Sequence, residues 1–120
     1  MKKVHIIYGV VVAVAFLLTG QYMRHHTPPM SDLDDAVRML YRSTHIYLLA
    51  AALVNLGIGS YYEPRSGRPH RIVQAIGSLL IIIPPGLLLL AFFTEPILAR
   101  LQRPYSRPAV IMLAIGTLLH

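Results

Sequence analysis

Four apolar runs divided by short polar stretches organise this chain. Residues 4–23, VHIIYGVVVAVAFLLTGQYM, contain no Asp, Glu, Lys or Arg. At 1.5 Å rise, about 20 such residues cover the roughly 30 Å hydrocarbon core of a bilayer, so the run predicts a first transmembrane helix. Thr27-Pro28-Pro29 ends any helix, and Ser31 with Asp34 three residues later forms a capping-box-like start for a second one. Asp32, Asp34 and Asp35 follow in what would be its first turn, where the helix dipole favours negative charge. Nothing interrupts the pattern until Pro64, which predicts one long helix over 31–62 with its membrane part at 44–62.

The polar turn EPRSGRPHR, residues 63–71, leads into IVQAIGSLLIIIPPGLLLLAFF, and this third run predicts a helix over 71–94. Beyond Thr94-Glu95-Pro96, ILARLQRPYSR alternates apolar and basic residues as an interfacial helix does. The fourth run is short. From Pro108 to His120 a helix reaches only about 20 Å, so a crossing needs a start near Tyr105 or a locally thin bilayer, and the predicted helix is 105–120.

Composition strengthens the membrane reading, with 55% hydrophobic and only 13% charged residues. Cysteine is absent, which removes disulfides and thiolate-held metals. The net charge of +6 arises from Lys and Arg spread between the apolar runs, the placement of headgroup-facing charges and not of a nucleic-acid surface. An N-terminus inside the cell would put Lys2, Lys3, Arg65, Arg68 and Arg71 there and Arg24, Arg38, Arg42, Arg100, Arg103 and Arg107 outside, so the positive-inside rule does not choose. The signal-like opening MKK alone favours a cytoplasmic N-terminus in a bacterial-type inner membrane or its equivalent. Leu18 and Gly20 make a poor small-x-small cleavage site and Gln21 stands where a lipoprotein needs Cys, so the expectation is an uncleaved signal anchor.

In the second helix Asp35, Arg38, Arg42, His45, Ala52, Asn55 and Gly59 recur at spacings of three, four or seven, which places them on one stripe that should face protein. Asp34 and Arg38 are i, i+4 partners. His45 lies about a turn below Arg42 and reads as a hydrogen-bonded residue near the headgroups; its alternative is a ligand or proton relay. Asn55 with Gly57 and Gly59 suits close helix packing.

The topology puts His25, His26 and His45 at one end of the bundle and His5, His70 and His120 at the other. Paired imidazoles on facing helices can hold haem b, and Met23, His25, His26 and Met30 are donors suited to copper, although their spacing matches no specific motif. The aspartates of that loop are accounted for by capping, so the stretch reads first as the polar rim of a membrane protein. Pro84-Pro85-Gly86 lies near the middle of the third run, removes two backbone donors and predicts a kink or a helix break.

The length resembles that of the small multidrug transporters, a family that depends on an acidic residue in its first helix. Residues 4–23 have none, so the resemblance is of size only. There is no P-loop, GxSxG or HExxH, and the reading is non-enzymatic.

Residues 1–120 are therefore expected to form a single membrane domain, an all-α integral membrane protein built as a small helical bundle with three full transmembrane helices and a short fourth. The expected role is that of an accessory subunit or self-assembling structural component, with lipids and a homo-oligomer or larger membrane complex as partners. That role requires no cofactor. Two alternatives stand beside it: a b-type haem or copper protein using His45 with His25 or His26, and a small transporter or channel built on the Pro84-Pro85 break.

Overall fold

A computed structural model describes residues 1–98 and 102–120 of the chain. Four α-helices follow one another, α1 (Lys2–Arg24), α2 (Asp35–Tyr61), α3 (Arg68–Thr94) and α4 (Ser106–Leu118), with 3-10 turns at Met30–Asp32 and Glu95–Leu98 and no strand among the described residues. The first three are long and apolar enough to cross a membrane, and α4, with 13 residues, is a shorter apolar helix.

Consecutive helices run antiparallel, as the cross-helix pairs described below require. α1 packs mainly on α2 and α4 mainly on α3, with α2 and α3 joined in the middle. The result is a slab of 55 × 24 × 15 Å. Its core is built from Val12, Leu48, Ala51, Ala52, Ile81, Leu88, Ala109 and Leu113. Small residues let the helices meet: a Cβ added at Gly59 would lie 2.6 Å from Ile6 Cγ1 and 2.8 Å from Ile6 N, so only glycine permits this crossing of α2 over α1. Large apolar side chains cover the outside of every helix, among them Ile7, Leu17, Leu53, Ile72 and Ile111. In water such a surface would aggregate.

Several boundaries differ from those the sequence suggests. The second helix starts at Asp35 and not at Ser31, because Met30–Asp32 forms a separate turn and Leu33 and Asp34 are extended, with ψ of 153° and 145°. No side chain caps that end; the short Asp34 does not do what Glu or Gln does in a capping box. Arg38 consequently pairs with Asp35, which is inside the helix, and not with Asp34. α3 begins a turn earlier than expected, after Gly67, whose φ of 95° suits glycine, and with Pro69 in its first turn, where a missing N–H costs nothing.

Of the kink or break expected at Pro84-Pro85-Gly86, the break is not present. α3 is helical throughout, with both proline rings buried and Gly86 on the exposed side. Two prolines cost two backbone hydrogen bonds; unwinding the helix in an apolar setting would cost more, since every freed N–H and C=O then lacks a partner. Of the stretch 97–107 expected as an interfacial helix, Ile97 and Leu98 end the 3-10 turn Glu95–Leu98, residues 99–101 lie outside the described part, 102–105 are not helical, and Ser106 and Arg107 open α4.

Candidate functional site

Two polar residues of the stripe on α2, His45 and Asn55, are spent on α1. Asn55, fully buried, donates from Nδ2 to the Ala51 carbonyl at 2.9 Å, which fixes its amide and turns Oδ1 toward α1. There Oδ1 lies 3.0 Å from Nδ1 of His5, also fully buried. An amide oxygen only accepts, so His5 donates its Nδ1–H to Asn55, which leaves the Nε2 of the ring. No hydrogen-bond partner reaches that Nε2.

Farther along the same seam, Thr19 Oγ1 donates to the Phe16 carbonyl at 2.9 Å and therefore accepts from Nδ1 of His45, also at 2.9 Å. The His45 ring stacks on Phe16, with centroids 4.2 Å apart and planes within 18°. His45 is thus a satisfied residue of the α1–α2 seam. Ala52 and Gly59 are buried in the same seam, whereas Asp35 and Arg42 are exposed and Arg38 is half-buried. The lower part of the predicted stripe does face protein, and that protein is the chain's own first helix.

Around His5 the other elements converge. His120, just beyond α4, presents its ring edge-on to His5 with centroids 5.7 Å apart and planes at 89°. Its Nε2 is 2.9 Å from Ser78 Oγ on α3. Tyr62 stacks beside His5 at 6.4 Å and stands 5.9 Å from His120. Gln74 holds the α2–α3 loop in place, donating to the Glu63 carbonyl at 3.0 Å and accepting from the Arg65 backbone at 3.3 Å, while the Arg65 guanidinium donates to the His120 carbonyl. Burial first, then the neighbouring His5 and Arg65, holds the His120 imidazole below the usual histidine range. Beside these groups lies a cleft of about 440 Å³ bordered by Tyr61, Tyr62, Glu63, Arg65, Gln74 and His120. His70 is exposed and takes no part.

At the opposite end, aromatic rings from three helices form a second cluster. Tyr22 and Tyr41 meet at 6.2 Å, Tyr41 and Phe92 at 5.1 Å, and Tyr22 and Phe93 at 5.4 Å. His26 packs against Tyr22 and Tyr41 and is hydrogen-bonded through Nδ1 to the Pro28 carbonyl at 2.6 Å. His25 is exposed, and Met23 and Met30 are half-buried. No ring contact joins His45 to His25 or His26 among the described residues, and no group of three or more His, Asp or Glu there is placed to hold a metal ion.

Glu95 completes this end. Fully buried at the end of α3, its carboxylate accepts from the backbone N–H groups of Tyr105 at 3.0 Å and Ser106 at 2.8 Å and from the Ser106 hydroxyl at 2.8 Å. It thereby caps α4, which has no cap of its own. Arg103 reaches Ser43 Oγ at 2.9 Å and lies over the Tyr47 ring. Sequence reasoning missed Thr19, Gln74, Ser78 and Glu95; the available signal was that each is a lone polar residue within or at the edge of an apolar run. Comparison with known protein families, with curated proteins and with solved structures gives no match.

Proposed function

We propose that this chain is a multi-pass membrane component that works by helix–helix association, as an accessory subunit or a self-assembling structural element. The observation that carries the reading is the division of polar from apolar surface. Tyr41, in one aromatic cluster, and Tyr62, in the other and directly after α2, are separated by the helix from Tyr41 to Tyr61, about 30 Å, close to the thickness of a bilayer's hydrocarbon core. Tyr is favoured at both membrane surfaces. Between these levels the outer faces are largely apolar, and Thr19, His45 and Asn55 bond within the chain. What the slab offers to other molecules in a membrane is therefore its broad apolar faces, and lipids or other helices are the partners that match them.

The test is native mass spectrometry of the chain released from lipid nanodiscs formed directly from its own membrane. The reading expects a defined multiple of the 13.4 kDa chain or a stoichiometric complex with a second membrane protein. A bare monomer with exchangeable lipids only would overturn it.

A further inference from the structure

We propose that His5 and His120 together form a two-imidazole site for a late first-row transition-metal ion, with copper the preferred occupant. Each ring is oriented as metal-binding histidines are, by giving one nitrogen to an oxygen on a neighbouring helix. His5 donates its Nδ1–H to Asn55 Oδ1, and that amide is itself fixed by the Ala51 carbonyl. The His5 Nε2 is buried and has no hydrogen-bond partner. His120 has its Nε2 at Ser78 Oγ; with that nitrogen as the donor, Nδ1 is its free lone pair.

The distance between the ring centres falls within the range that one shared ion requires. With metal–nitrogen bonds of about 2.0–2.1 Å and about 1.1 Å from nitrogen to ring centre, two imidazoles on one metal have centroids roughly 5.1 Å apart at a tetrahedral angle and roughly 6.3 Å apart when linear. The observed 5.7 Å lies between these limits. Two protein nitrogens leave positions for solvent, and His120 borders the cleft from which it would come. Imidazole donors select copper, nickel or zinc over magnesium or calcium, and within that series copper binds most strongly.

The test uses the full chain in detergent with His25→Ala, His26→Ala and His70→Ala, leaving His5, His45 and His120. His45 is 14 positions along the α1 seam, beside Thr19 and about 20 Å from His5, so two imidazoles on one ion in a chain can only be His5 and His120. Copper(II) is titrated and read by electron paramagnetic resonance. The proposal expects one tight equivalent per chain with hyperfine structure from two imidazole nitrogens, a loss of 100-fold or more in affinity in His5→Gln and in His120→Gln, and a 10–100-fold loss in Asn55→Leu. Uptake unchanged in the His5→Gln/His120→Gln double variant overturns it. So does a spectrum of the parent protein with fewer than two imidazole nitrogens, a result that needs no folded variant.

Discussion

His5 donates to Asn55 across 3.0 Å, fastening the first turn of α1 to the last third of α2 with both side chains fully buried. Replacing Asn55 with Leu leaves a buried imidazole N–H without an acceptor, at a cost of about 1–3 kcal/mol. The double variant His5→Leu/Asn55→Leu removes both polar groups and recovers much of that loss. Unfolding in detergent or bicelles measures the cycle, and a coupling energy of roughly 0.6–2 kcal/mol is expected for this interhelical bond. Strictly additive losses would mean that the pair is not formed.

Gly59 makes a second, independent demand on the same seam. In Gly59→Val the new side chain meets Ile6 backbone and side chain, so α1 and α2 must part, with a loss of about 1–3 kcal/mol. Gly57→Ala is the control: nothing lies within 4 Å of its Cβ, and stability should stay level or rise slightly.

Glu95 is expected to govern the start of α4. Glu95→Ala strips acceptors from two backbone N–H groups and one hydroxyl and should cost about 1–3 kcal/mol. Hydrogen–deuterium exchange should rise over Tyr105–Ala109 and remain unchanged over α1. Glu95→Gln keeps one acceptor oxygen and should fall between the two.

Much of the fold was legible because apolar run length and helical periodicity are local properties. The run 4–23 became α1 with one or two residues added at each end, since Lys2, Lys3 and Arg24 continue a helix without needing lipid. Spacing alone placed Asn55 and Gly59 on the face that α1 covers. The start of α2 was not legible, because whether Ser31 caps depends on the conformation of Leu33 and Asp34. Continuity through Pro84 and Pro85 was not legible either: it rests on what the alternative would expose, a property of the surroundings. The Glu95 cap and the approach of His5 to His120 link residues 11 and 115 positions apart, and only the packed bundle brings them together.

The account depends most on the two aromatic clusters marking opposite membrane surfaces. Cysteine is absent, so single cysteines can be placed at Arg24, Leu53 and Tyr61 and probed in sealed, right-side-out vesicles with a membrane-impermeant maleimide. The account predicts that Arg24→Cys and Tyr61→Cys label from opposite sides and that the exposed, apolar-facing Leu53→Cys labels only after detergent is added. Rapid labelling of Leu53→Cys in intact vesicles, or of Arg24→Cys and Tyr61→Cys from the same side, would contradict it.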